Sequence, residues 1–176
     1  MKKIIYSLLA VLLIVFGIAG YVGYQKRIQK IKNTVVLIQV DKSDRTMNLC
    51  NVYGDTLYSY KIRLGRQPKG HKQIEGDGKT PEGTYYINSQ NPESIAHKSL
   101  RISYPNEEDI ATADSLGKDP GGEIRIHGTL NRWSKKEAER IHKTRDWTGG
   151  CIAVTNKEMD EIYRLVKVGT KIVIIP

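Results

Sequence analysis

Short runs of alternating residues, separated by turns rich in glycine and charge, recur along most of this 176-residue chain and favour a β-rich fold. In the run at 56–65, large apolar or aromatic residues take every second position: Tyr58, Tyr60, Ile62 and Leu64. A period of two predicts a strand with one buried face. Comparable runs predict strands at 34–40, 45–52, 84–88, 100–104, 123–127 and 170–175. Such a series indicates a meander or a sandwich.

Three segments between these strands begin with residues that cap helices. A side-chain oxygen at such a position accepts a hydrogen bond from a free N–H of the first turn. The predicted helices, each with its cap, are 106–116 with Asn106, 134–142 with Ser134 and 156–166 with Asn156. The predicted fold is therefore mainly β, of the α+β class, with two or three short helices.

The N-terminal segment 4–24 is almost continuously apolar. About twenty apolar residues are enough to span a bilayer, either as a cleaved signal peptide or as an uncleaved anchor. The run is longer than an ordinary signal-peptide core, which favours a transmembrane anchor at 1–25, a basic connector at 26–33 and one domain at 34–176. The orientation stays open, because basic residues after the run favour a cytoplasmic domain: Lys26, Arg27, Lys30 and Lys32.

The formal net charge of +9 suits an acidic polymer, an anionic lipid surface or nucleic acid as a partner. No nucleic-acid-binding module is recognisable, so nucleic acid is not expected. The two cysteines allow at most one disulfide, and Cys50 lies in a predicted strand as a small buried residue. A zinc site from Cys151, His127 and His142 lacks short ligand spacing, so no metal is expected. We expect a monomer without a cofactor.

The stretch 146–154 carries the chemistry, because Cys151 follows Gly149 and Gly150 directly. A cysteine attacks as its thiolate and needs a neighbouring base. Backbone N–H groups of Gly149, Gly150 and Cys151 are candidates for holding an oxyanion. Trp147 and Thr148 are candidates for the walls of the site.

His127 is the candidate base, at the end of a predicted strand. Alternation along that strand places Arg125 on the same face as His127. The carbonyl of Gly128 is the candidate third member that orients the imidazole. The competing bases are His71, His97 and His142, of which the first two lie in predicted loops and the third on an exposed helix end.

Three stretches, 76–85, 126–128 and 148–152, occur in the order found in the L,D-transpeptidase catalytic domain family (YkuD), which 34–176 resembles. The resemblance implies a β-sandwich or barrel without metal or cofactor, and peptidoglycan stem peptides as substrate. It implies that Cys151 attacks the carbonyl of the third stem residue and releases the terminal D-alanine, with His127 taking the thiol proton. The acyl group then passes to a side-chain amine of a second stem, or to water.

Two positions depart from the family signature Ser/Thr-His-Gly-Cys-x-Arg: Gly149 replaces its histidine and Ala153 its arginine. Arg125 or Arg132 is the candidate substitute cation, so the predicted substrate-binding set is Arg125, Arg132, Trp147 and Thr148. The sequence resembles a branch whose members are thought to hydrolyse peptidoglycan links, which makes a hydrolase of the same fold an alternative. A non-catalytic wall-binding module is another. For the transpeptidase and for both alternatives, we expect the protein in the cell envelope, membrane-anchored, with its domain outside the cytoplasm.

Overall fold

The structure is a computed structural model that describes residues 2–176, with side chains described from residue 15 onward. It divides into two units, Met1–Thr34 and Val35–Pro176. The first contains helix α1, Lys2–Lys32. Within the described part of the chain, no helix has the length and apolar character that a bilayer crossing requires. The apolar run predicted as an anchor begins at residues 4–14, whose side chains lie outside the described ones, and the anchor stays a prediction.

The second unit is a mixed eight-stranded sheet with the order β3-β2-β1-β8-β4-β5-β6-β7. Two pairs are parallel, β1 with β8 and β6 with β7, and the others are antiparallel. The strands are β1 Leu37–Asp41, β2 Thr46–Cys50, β3 Thr56–Lys61, β4 Gly83–Ser94, β5 His97–Ile102, β6 Arg125–His127, β7 Ile152–Ala153 and β8 Lys171–Ile175.

The two ends of this sheet meet just after β3. The N–H of Arg63 donates to the carbonyl of Ala153 at 2.8 Å, and the N–H of Ala153 donates back to Arg63 at 2.7 Å. A second bridge joins Gly65 to Thr148. Because β7 is thereby bonded on both sides, the sheet closes around its core, and the predicted β-rich α+β fold is confirmed.

Three short helices accompany the sheet, within about two residues of the predicted positions: α2 Glu107–Ser115, α3 Lys135–Thr144 and α4 Asn156–Leu165. The predicted cap of α4 was wrong by one residue. Thr155 is the N-cap, because its side chain accepts a hydrogen bond from the Glu158 N–H. The Thr155 N–H in turn donates to the Glu158 carboxylate. Asn156 instead accepts two hydrogen bonds from Thr129.

The core lies between the sheet and α4, where Met159, Ile162 and Val166 are completely buried. These residues form the apolar face of α4, which is therefore part of the core. Cys50 is also completely buried, and neither Cys50 nor Cys151 forms a disulfide. Burial of these apolar side chains contributes roughly 1.5–3 kcal/mol each to the free energy of unfolding.

The loop 65–83 is held against the sheet by a buried cation. The side chain of Lys42, at the end of β1, donates to the carbonyls of Gly70 at 2.7 Å and Thr80 at 2.9 Å. It also pairs with Glu82 at 2.7 Å. A buried ammonium is tolerated only when such partners surround it. Lys42 thus fixes the path of the loop that lies beneath the cysteine.

Candidate active site

Strand pairing places Cys151 and His127 on one face of the sheet. β6 runs parallel to β7, with His127 opposite Ala153. Cys151 precedes Ala153 by two residues, so its side chain points to the same face as that of His127. Both residues line one cleft. The pairing joins segments far apart in sequence, which is why sequence spacing alone did not specify it.

Gly128 fixes the tautomer of the histidine. Nδ1 of His127 lies 2.7 Å from the Gly128 carbonyl oxygen. A carbonyl only accepts, so Nδ1 carries the proton and Nε2 keeps its lone pair. A side chain at Gly128 would not fit, because its Cβ would lie 2.5 Å from Oδ1 of Asn156.

Burial favours the neutral forms of the Cys151 thiol and the His127 imidazole. Burial raises the pKa of the Cys151 thiol, and the Arg125 backbone N–H opposes this rise only in part. Burial lowers the pKa of His127, against the opposing effect of the Gly128 carbonyl. The thiol donates to the carbonyl of Glu123 at 3.6 Å. The resting pair is therefore a thiol and a neutral imidazole, the arrangement in which histidine acts as a general base.

Thr148 organises the turn that carries Cys151. Its hydroxyl accepts from the Gly150 N–H at 3.1 Å and donates to the Cys151 carbonyl at 2.7 Å. The Gly150 N–H, one of three predicted oxyanion donors, is therefore occupied. For the N–H groups of Gly149 and Cys151, residues 2–176 provide no acceptor. These two remain available to a developing oxyanion.

The cleft has a volume of about 600 Å³. It brings together seven of the predicted site residues: Arg125, His127, Arg132, Trp147, Thr148, Gly149 and Cys151. Gly128 and Gly150 are not among its lining residues and act from behind it. Sequence reasoning missed Arg66, Glu123, Trp133 and the β4–β5 turn around Ile95, which also line the cleft.

An aromatic wall flanks the histidine. Trp147 meets His127 edge to face, with ring centroids 5.4 Å apart, and Trp133 packs on Trp147 at 4.7 Å. Aromatic pairs of this geometry add about 0.5–1.5 kcal/mol beyond burial of their area. Trp147 thus restricts the position of the imidazole and walls the cleft, while Trp133 extends the apolar surface that a peptide would contact.

The arginines of the cleft differ in whether a carboxylate pairs with them. The Arg125 guanidinium pairs with the Glu123 carboxylate and lies 3.4 Å from the Ser99 hydroxyl. Glu123 also pairs with Arg101 at 3.0 Å. Arg66 and Arg132 are exposed, and no carboxylate within the described chain pairs with either. Arg66 lies 85 positions upstream of Cys151, and only the fold brings it into the cleft.

The other histidines are engaged elsewhere. His71 pairs with Asp109 at 3.0 Å, and His97 pairs with Asp160 at 2.8 Å. The expectation of an exposed His142 was wrong, because His142 lies on the buried face of α3. His142 lines a different cavity from Cys151. In residues 2–176, no group of three His, Cys, Asp or Glu residues has a metal-binding arrangement.

The sequence profile of the L,D-transpeptidase catalytic domain, YkuD, matches residues 36–174. The chain belongs to this family. YafK of Escherichia coli K12, assigned as an L,D-transpeptidase, is 29% identical over 179 residues, covering 94% of this chain and 64% of YafK. The chain therefore spans less than two thirds of that relative.

Two solved structures share the fold. The helical cell shape determining protein Pgp2 of Campylobacter jejuni has a TM-score of 0.61 at 26% identity, over 80% of this chain and 47% of that one. An L,D-transpeptidase of Mycobacterium smegmatis has a TM-score of 0.51 at 16% identity, over 80% and 58%. The second similarity is evidence for the fold alone.

Proposed function

We propose that this member of the L,D-transpeptidase family acts on peptidoglycan stem peptides by acyl transfer through Cys151. The observation that carries the proposal is the 2.7 Å hydrogen bond between His127 Nδ1 and the Gly128 carbonyl. It leaves Nε2 unprotonated in a histidine that shares a strand face and a cleft with the thiol. A structural cysteine does not require such a neighbour.

The first half of the proposed reaction is acylation. Sγ of Cys151 attacks the carbonyl carbon of the third stem residue while its proton passes to Nε2 of His127. The N–H groups of Gly149 and Cys151 stabilise the oxyanion. The C–N bond then breaks, and His127 returns the proton to the departing D-alanine amine, leaving a thioester on Cys151.

The second half returns the enzyme to its resting state. An amine of a second stem attacks the thioester carbonyl and loses its proton to His127. The C–S bond breaks, the thiolate regains a proton and an amide cross-link forms. If water attacks instead, the product is a free carboxylate.

Hydrolysis is the second candidate, and Gly149 is the observation that favours it. This glycine stands where the family signature has histidine, and a Cβ built on it would have no atom within 4 Å. The open space beside the thioester gives water room to approach. Product analysis separates the two outcomes, because both begin with the same acyl-enzyme.

We further propose that the protein is a monomer anchored in the cell envelope, with its catalytic domain outside the cytoplasm. The apolar run at 4–24 supports the anchor. Peptidoglycan as the substrate supports the orientation.

The test uses full-length protein in detergent, incubated with purified tetrapeptide muropeptides, with Cys151→Ala as the control. Mass analysis of cross-linked dimers would support transpeptidation, and tripeptides alone would support hydrolysis. Unchanged muropeptides, with the Cys151 thiol shown to be reduced, would contradict the proposed activity.

A further inference from the structure

Glu123 has a backbone conformation that its residue type rarely adopts. Its φ is 60°, in the left-handed region, where glycine, asparagine and aspartate are the usual residues. Strain of this kind persists only where the surrounding contacts outweigh it, and it is concentrated at functional sites. Glu123 lines the cleft that holds Cys151, so its conformation bears on the candidate chemistry.

Backbone pairing in the sheet does not hold Glu123 in this conformation. Strand β6 begins at Arg125, and the last bond on this side of the β5–β6 pair runs from the Ile102 N–H to the Ile124 carbonyl at 3.0 Å. Within the described chain, the one hydrogen bond to the Glu123 backbone comes from the Cys151 thiol, which donates to its carbonyl at 3.6 Å. A different contact must therefore fix the backbone.

The side chain of Glu123 supplies that contact through two ion pairs. Its carboxylate pairs with the Arg101 guanidinium at 3.0 Å and also with the Arg125 guanidinium. The two arginines lie opposite each other on the neighbouring strands β5 and β6. Because these pairs are partly exposed, each adds little to stability. Together they tie one carboxylate to two fixed points of the sheet and so restrict the backbone that carries it.

The direction of the Glu123 carbonyl matters because of what surrounds the sulfur. A protonated Cys151 donates to this carbonyl, and a thiolate is stabilised by the backbone N–H of Arg125. Three charged side chains act on the thiol electrostatically, Glu123, Arg125 and Lys72, and His127 shares its cleft. An acceptor and a donor from one short segment therefore hold Sγ in one place before and after it loses its proton.

We propose that Glu123 is a positioning residue for Cys151, whose clamped carboxylate holds a left-handed backbone and so keeps its carbonyl on the thiol. Its part in acyl transfer rests on the proposed function. A sulfur fixed in this way begins each attack from one position, and a small displacement of a reacting atom lowers the rate sharply. Glu123 thus acts through Cys151.

The test compares Glu123→Ala with Glu123→Asn in the full-length protein. Both variants remove the same negative charge and both ion pairs, but asparagine adopts the left-handed conformation more readily than alanine. We expect kcat for a tetrapeptide stem to fall about tenfold in Glu123→Ala and less than about threefold in Glu123→Asn. Glu107→Ala removes an exposed carboxylate outside the cleft and should keep kcat within about twofold.

The second measurement follows protonation of the thiol by NMR. In a Cys50→Ala background with ¹³Cβ-labelled cysteine, Cys151 gives the one cysteine signal, and its chemical shift reports ionisation. A hydrogen bond to the neutral form of a group raises its pKa. Loss of the bond to the Glu123 carbonyl should therefore give the thiol a lower pKa in Glu123→Ala than in Glu123→Asn. The change of charge is the same in both variants, so electrostatics cancels from this difference.

A kcat in Glu123→Ala equal to or above that in Glu123→Asn would overturn the inference, because backbone preference is what separates the two variants. An equal thiol pKa in both would also overturn it, since a merely structural role would leave the thiol unaffected. The NMR comparison requires no turnover. Absence of turnover in the unchanged chain would contradict acyl transfer, while the thiol comparison would still test the role of Glu123.

Discussion

The carbonyl oxygen of Lys79 lies 2.6 Å from the position that a Cβ would take on Gly150. Gly150 also has a φ of 142°, a conformation that residues with side chains rarely adopt. The loop 65–83 and the turn before Cys151 therefore meet backbone to backbone. This close approach fixes the position of the turn that carries Cys151 relative to the loop.

A methyl group at this junction should destabilise the fold. We expect Gly150→Ala to lower the free energy of unfolding by roughly 2–4 kcal/mol, from backbone strain and overpacking combined. Gly149→Ala is the matched control, because no atom lies within 4 Å of its Cβ position, and it should change stability by less than about 1 kcal/mol. Urea denaturation of both variants measures the difference. Equal losses would contradict the described packing.

The pH dependence of Cys151 alkylation tests whether Cys151 and His127 are both neutral at rest. Because burial raises the pKa of this thiol, its thiolate fraction at a given pH is smaller than that of a free cysteine. The rate of modification by iodoacetamide should therefore keep rising with pH beyond the ordinary thiol pKa. Peptide mass analysis follows the rate in a Cys50→Ala background, which leaves one thiol in the chain.

An ion pair at rest would give a different profile. A thiolate held by a protonated His127 would react at a constant rate through neutral pH, and His127→Ala would remove that plateau. A plateau in the rate for the chain that keeps His127 would therefore contradict general-base activation. The lowered pKa of His127 also predicts that turnover falls only below the ordinary histidine pKa, since the base must be unprotonated.

Arg125 is predicted to contact a substrate carboxylate, in competition with Glu123. Arg125→Ala should raise the KM for a tetrapeptide stem about tenfold, the loss of one charge-assisted contact. Glu123→Gln should lower KM, because it frees the guanidinium. Arg164→Ala, an exposed change outside the cleft, is the control. An unchanged KM in Arg125→Ala would remove Arg125 as the substitute cation and leave Arg66 and Arg132.

Local patterns predicted the elements better than their pairing. The alternation in 56–65 and the caps at Asn106 and Ser134 are local effects, and the structure contains the corresponding elements. β4 runs to Ser94, well beyond the predicted 84–88, because its polar residues pair with β5 across two irregularities that break the alternation.

The candidate site depended on contacts that no short window contains. His127 and Cys151 share a face only through the parallel pairing of β6 and β7. Trp133 lines the cleft because it packs on Trp147. His142 sits between charged neighbours near a helix end, a pattern typical of solvent exposure, and its burial follows from the direction in which α3 packs.

Intact-protein mass analysis after mixing with a tetrapeptide stem, or with a thiol-reactive carbapenem, tests the central claim most directly. Three full-length forms are compared: the unchanged chain, Cys50→Ala and Cys151→Ala. We predict one acyl adduct on the first two, mapped to Cys151, and none on the third, which should also lack turnover. An adduct on Cys50, or undiminished turnover in Cys151→Ala, would contradict acyl transfer through Cys151.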